Sequence, residues 1–126
     1  MEKITFVILL EAIQDNAISL VGAKALSLAR MNRIGLAVPP GFCITEAGFR
    51  KHLELNNLIG HIKSALAQLR AAPPATSAIL SDLRQAIIEA PMADMLRQQI
   101  ENHHRELAAK RVAVRSSATA EDLPGH

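Results

Sequence analysis

The 126-residue sequence contains no Trp, no Tyr and only three Phe, so any core must be built from Leu, Ile, Val, Ala and Met. Charge of one sign is also missing: 14 Lys and Arg stand against 12 Asp and Glu, and the basic residues are scattered rather than gathered into a run. A polyanion-binding surface needs a basic stripe, usually with aromatic residues to stack bases, so a nucleic-acid partner is not expected. Cys43 is the single cysteine, which excludes an internal disulfide and a cysteine-based zinc site and fits a reducing compartment. No stretch approaches the ~20 apolar residues needed to span a bilayer. The early ITFVILL run is at the short limit of a signal-peptide core and lacks a small-x-small cleavage site. A soluble, cytoplasmic chain with no membrane partner is expected.

At this length a single domain is the default, since the chain is too short to bury two ordinary cores. Thr5 to Leu10 is apolar and β-branched without alternation, which suits a short strand covered on both faces. From Leu20 to Ile34 apolar residues recur at helical spacing, and Gly35 supplies the left-handed position that closes many helices. VPPG is a rigid connector to a second short strand, Phe42 to Thr45, where Thr45 can cap a helix beginning at Glu46. Asn56 and Asn57 interrupt that helical pattern, which resumes through Leu58, Ile62, Ala65, Leu66 and Leu69. AAPPATS is a loop whose Thr76 or Ser77 can cap a helix carrying Leu80, Leu83 and Ile87. Pro91 can occupy the first position of a last helix, with Met92, Met95, Leu96, Ile100, His103 and Leu107 on one face. VAVR then reads as a third short strand. No internal repeat or low-complexity segment is present, and the fold class is α/β (α+β), helix-rich with a few short strands.

Two stretches carry possible chemistry. In VGAKALSLA, Gly22 allows a tight turn just before Lys24, and the helix that follows would present unpaired N–H groups and a positive dipole end to an anion. A solvated lysine is the plainer reading of that stretch alone. In RVAVRSSATAEDLPGH, the strand ends in Arg115, a charge that beside a core would cost ~3–5 kcal/mol without a partner. An internal carboxylate or a bidentate phosphate would both serve. Ser116, Ser117 and Thr119 follow as small hydroxyl donors suited to close approach by an anion. Equally, they can form a Ser/Thr turn that caps a short helix, with Glu121 and Asp122 in its first turn.

Together, VGAKALSLARMNRIGLAVPPGFCIT and RVAVRSSATAEDLPG resemble the start of the nucleotide-binding domain shared by phosphoenolpyruvate synthase, pyruvate phosphate dikinase and rifampin phosphotransferase. The resemblance covers nearly the whole chain. It implies an ATP-grasp fold, of which residues 1–126 would be a partial, N-terminal lobe. It implies too that Lys24 and Arg115 contact ATP phosphates, and that the segment from Ser116 to Gly125 begins the loop covering them. The family commonly shows Gly-Gly-Lys-Gly where this chain has Gly22, Ala23, Lys24 and Ala25, and each Cβ restricts positive φ angles. The family's magnesium-binding carboxylates, most of its adenine pocket, and its phosphohistidine and phosphoenolpyruvate domains lie further along than position 126.

The implied function is that of a phosphoenolpyruvate synthase-like phosphotransferase fragment. ATP, with magnesium, would phosphorylate a carrier histidine that passes the group to pyruvate. Gly22, Lys24, Arg115, Ser116, Ser117 and Thr119 form the expected ATP-phosphate site, with Lys24 and Arg115 as its catalytic cations and no metal ligand in the chain. The alternatives are a rifampin phosphotransferase-like fragment, or a non-catalytic binding module whose exposed apolar surface favours self-association. The remaining candidates are weaker. His52, His61 and His126 lie in unrelated contexts, and the adjacent His103 and His104 face different sides of a helix, which is poor geometry for joint metal binding. His103 is expected to be partly buried and hydrogen-bonded, and Cys43 to be core filler rather than a nucleophile.

Overall fold

The computed structural model describes residues 5–71 and 76–118. Among them, five α-helices accompany one two-stranded antiparallel sheet. The chain divides into two compact units, one of Met1–Phe49 with Asp94–His126 and one of Arg50–Ala93. The second unit is thus an insertion in the sequence of the first, a division that length alone does not suggest.

The first unit opens on β1 (Val7–Leu9), followed by a single 3-10 turn (Leu10–Ala12) and then α1 (Ile18–Arg33). β2 (Phe42–Ile44) returns antiparallel to β1, pairing Val7 with Ile44 and Leu9 with Phe42. Both strands fall where β-branched and aromatic residues predict them. The core is a cluster of Ile13, Ala17, Val21, Ala25, Leu26 and Ala29, with Ile8, Leu10, Ile18 and Cys43 packed against it. Of positions 17, 21, 25 and 29 in this cluster, Ala17 and Val21 flank the short turn before Gly22, and Ala25 and Ala29 lie on one face of the helix after it. Three of the four are alanine, which lets the sheet approach the helix axis closely.

Gly35 ends α1 as its position predicts. With φ of 90°, it donates its N–H to Asn32 O while Leu36 N–H reaches back to Met31 O, the paired bonds of a Schellman motif. At the far side of β2, Thr45 is buried and holds three bonds at once. Its N–H and its hydroxyl both donate to Phe6 O, at 2.8 and 3.2 Å, and its Oγ1 accepts the Gly48 N–H at 3.3 Å. The expected cap of α2 (Glu46–Leu55) therefore also fastens the sheet's end. α5 (Asp94–Leu107) packs on β1, with Leu96 buried and the Gln99 side chain accepting the Phe6 N–H at 2.8 Å.

In the second unit α3 (Leu58–Ala71) packs against α4 (Thr76–Glu89), and Asn57, with φ of 56°, makes the turn between α2 and α3. Its core is thin: Leu53, Leu58, Ala65 and Ala93 are buried, while Leu55, Leu66, Leu80 and Ile88 remain exposed. Polar clasps do part of the work. Ile87 O would normally accept the N–H of residue 91, but that residue is proline, and His52 Nε2–H donates to the orphaned carbonyl at 3.0 Å instead. One turn further along α2, Asn56 Nδ2 donates to Pro91 O at 3.0 Å. The Nδ1 atom of the His52 ring is buried and has no hydrogen-bond partner among the described residues.

Two expectations differ from the structure. The last helix begins at Asp94, not Pro91, because the Pro91 carbonyl is turned to Asn56 rather than into a helical ladder. Residues 111–118 form no strand. A strand needs a neighbour to share its hydrogen bonds, and among the described residues β1 and β2 pair only with each other. Val112 and Val114 are accordingly exposed, the latter at 92%.

Replacing Thr45 by Val keeps the shape but removes the cap and the hydroxyl bond to Phe6. We expect a loss of about 1–2 kcal/mol in stability, measured by urea denaturation with an unchanged denaturant slope.

Candidate functional site

The two motifs meet within the first unit, where the start of α1 is bonded to Ser117 and Ala118. α1 is not continuous: Gly22 has φ of 82° and ψ of 169°, so one helical turn ends at Val21 and the longer helix starts at Ala23. The left-handed conformation expected near Lys24 thus falls on the one residue of the four that is glycine. Ala23 and Ala25 keep negative φ, so their Cβ atoms cost nothing here.

Ser117 fills the break. Its hydroxyl donates to Val21 O at 2.6 Å and accepts the Ala25 N–H at 3.3 Å. Val21 O and Ala25 N–H are four residues apart and would bond directly in an unbroken helix, so Ser117 Oγ is inserted into that rung of the ladder. Beside it, Ala118 O accepts the Ala23 N–H at 3.4 Å. Two of the amides expected to face an anion are therefore already bonded to the closing motif. The approach is possible only over glycine, because a Cβ on residue 22 would lie 2.5 Å from Ser117 Oγ and 2.8 Å from Ala118 O.

Lys24 is half-buried and sits between the two residues bonded to the closing segment, and Arg115 lies two residues before Ser117. The two motifs, more than ninety residues apart in sequence, are thus brought together by the Ser117 hydroxyl and the Ala118 carbonyl. Arg115 itself is exposed rather than beside a core, since no strand forms there. Its charge is hydrated, and the desolvation cost expected of a strand end does not arise. Ser116 is exposed and Ser117 half-buried. Thr119 and the remainder through His126, including Glu121, Asp122 and Gly125, lie outside the described residues.

Next to this junction is a shallow groove of about 340 Å³. Leu20, Ile44 and Phe49 form apolar walls, each about half exposed, while Ser117 and Ala118 border it from the closing segment. Lys24 and Arg115 do not line it. Among the described residues no three His, Cys, Asp or Glu side chains come together in a way that could hold a metal ion.

The other candidates have ordinary structural roles. His103 is half-buried, its Nδ1–H donating to Gln99 O at 2.8 Å, and its ring lies 5.6 Å from that of Phe42. Cys43 packs against the core cluster in β2, and burial pushes its thiol pKa up. Sequence reasoning missed that Ser117 would serve α1 rather than face outward. A glycine break followed by alanines is a signal that something must occupy the gap, but nothing in the sequence says which residue does so.

A family model for the pyruvate phosphate dikinase AMP/ATP-binding domain matches residues 18–126. The chain belongs to this family. Relatives include a probable phosphoenolpyruvate synthase of Staphylothermus marinus, 34% identical over 94% of this chain and 15% of the relative. The phosphoenolpyruvate synthase of Aeropyrum pernix is 35% identical, with 91% of this chain and 15% of the relative covered. The rifampicin phosphotransferase of Bacillus subtilis is 34% identical, covering 91% and 14% respectively. The chain therefore spans about a seventh of the length of these curated relatives. No helix among the described residues is long and apolar enough to cross a membrane.

Two measurements check this geometry. Gly22→Ala should cost about 2–4 kcal/mol, from the left-handed φ together with the clash against Ser117 and Ala118, and thermal melting would register it. Cys43, with its thiolate disfavoured by burial, should react with iodoacetamide at pH 8 more slowly than a cysteine in a short peptide. Its rate should also keep rising to higher pH than the peptide's does.

Proposed function

We propose that this chain is the N-terminal lobe of an ATP-grasp domain and that it binds the phosphate tail of ATP in a phosphoenolpyruvate synthase-like phosphotransferase. The observation that carries the reading is the bonding of Ser117 and Ala118 onto the helix start around Gly22, because it brings the neighbourhoods of Lys24 and Arg115 together. Membership of an AMP/ATP-binding domain family supports it independently.

In this reading the two cations act by charge and position. The triphosphate carries several negative charges, and bringing a nucleophile in line with the terminal phosphorus becomes easier when fixed cations offset them. Lys24, on the first turn of the longer helix, supplies a compact ammonium beside the positive end of the helix dipole. Arg115 supplies a planar guanidinium able to grip two phosphate oxygens. Being exposed in this chain, it can reach a ligand without breaking a buried ion pair. Ser116 adds an exposed hydroxyl, and Thr119 a further one by resemblance.

Magnesium accompanies ATP in solution. By the resemblance, the family's magnesium-binding carboxylates lie further along than position 126, in the complete protein. There the phosphate would pass through a phosphohistidine to pyruvate, giving phosphoenolpyruvate. The similar identity to phosphoenolpyruvate synthases and rifampicin phosphotransferases is what a domain handling ATP rather than the acceptor would show. A cytoplasmic setting suits an ATP-dependent reaction and a lone reduced thiol. The exposed Leu20, Ile44 and Phe49 make self-association of the isolated chain part of the same proposal.

Nuclear magnetic resonance titration tests the site directly. ATP should bind this chain weakly, nearer millimolar than micromolar, with the largest shifts at Ala23 to Ala25 and at Arg115 to Ser117. Lys24→Ala and Arg115→Ala should each weaken binding by about five- to tenfold, the worth of one charge-assisted contact. Shifts confined to the second unit, or affinity indifferent to both substitutions, would remove the assignment.

A further inference from the structure

We infer that Ser117 is a positioning residue, whose hydroxyl relays the interrupted helical bond between Val21 and Ala25 and so couples the geometry of Lys24 to that of Arg115. A serine hydroxyl has one proton, and here it is committed to Val21 O at 2.6 Å. In this arrangement Ser117 has no proton left to donate to a phosphate, which separates it from its exposed neighbour Ser116. Its lone pair meanwhile takes the Ala25 N–H. One oxygen atom thus closes the ladder on both sides of Gly22.

The consequence runs in two directions. Without the hydroxyl, Val21 O and Ala25 N–H in a half-buried setting each lose a partner, and the helix start that carries Lys24 is loosened. The segment 115–118 simultaneously loses its 2.6 Å bond to α1, the contact from Ala23 N–H to Ala118 O being longer at 3.4 Å. No β ladder holds that segment in place among the described residues. Arg115, two residues before Ser117, then loses this tether to the helix start that carries Lys24. A side chain that touches no ligand in this arrangement would therefore govern how well two others act together. Its sequence position is set by Gly22, since only a residue without a Cβ leaves room for the oxygen.

The effect on nucleotide affinity rests on the phosphate-binding reading above, whereas the relay itself does not. The two are tested by separate readouts on the whole 126-residue chain. Amide hydrogen exchange, followed residue by residue, reports the relay without nucleotide. In the unmodified chain the Ala25 amide should exchange as slowly as that of Leu26, and in Ser117→Ala it should exchange at least about tenfold faster, as for the loss of one buried hydrogen bond. Ser117→Thr, which keeps the hydroxyl, should retain most of the protection. An Ala25 amide that exchanges rapidly in the unmodified chain, or is unaffected by Ser117→Ala, overturns the relay. The second readout is ATP titration, in which Ser117→Ala should weaken binding about tenfold and Ser117→Thr should not. If exchange changes as expected while ATP affinity stays the same, the coupling of the relay to the cations is refuted. If the unmodified chain shows no ATP binding, the phosphate-binding reading fails, and the exchange data still decide the relay.

Discussion

The first unit depends on one backbone constraint, the left-handed conformation of Gly22 inside an otherwise helical stretch. A helix that breaks in mid-course exposes a carbonyl on one side and an amide on the other, and both are costly where water is partly excluded. The chain resolves this by delivering a hydroxyl from the far end of the sequence. That solution fixes the partner's location to within one hydrogen bond, and it is why segments separated by four helices of sequence come to lie side by side.

Thr45, which borders the same groove as Ser117, repeats the strategy. There too a small hydroxyl residue satisfies a strand carbonyl and a helix amide together, tying β1 to the start of α2. The second unit uses the longer side chains of His52 and Asn56 for an equivalent purpose, because Pro91 withholds the N–H that the end of α4 would otherwise have used. With no Trp or Tyr to bury, the chain has limited apolar area per residue, and in both units such polar clasps set where element ends meet. The thin core of the second unit makes this most evident.

How much of this was legible in the sequence depended on how local its cause was. The two strands, the glycine stop at Gly35, the Thr45 cap and the interruption at Asn57 were all readable, because each follows from residues within a few positions. The supposed strand at Val112 to Arg115 was not, since strand formation requires a partner that apolar pattern cannot supply. For the same reason the premise of a semi-buried Arg115 failed. The role of Ser117 was invisible for a different reason: the sequence shows a gap at Gly22 and many small hydroxyl residues, and only packing decides which of them fills it. The division into two units was likewise hidden, because the insertion begins inside a helix rather than at a linker.

The alanines flanking Lys24 acquire a meaning from this geometry. In a Gly-Gly-Lys-Gly stretch, flexibility is available at three positions, yet only the first needs it here, as the φ of 82° at Gly22 shows. Alanine in a helix is favoured over glycine by about 1 kcal/mol per residue, so Ala23 and Ala25 would reinforce the start of the longer helix where it carries Lys24. Ala25 also contributes its methyl group to the buried cluster, which glycine could not. The departure from the family pattern therefore acts on the stiffness of the helix start and leaves the turn itself intact. Stiffening there acts in the same direction as the Ser117 hydroxyl, because each holds the first turn of that helix in a single arrangement.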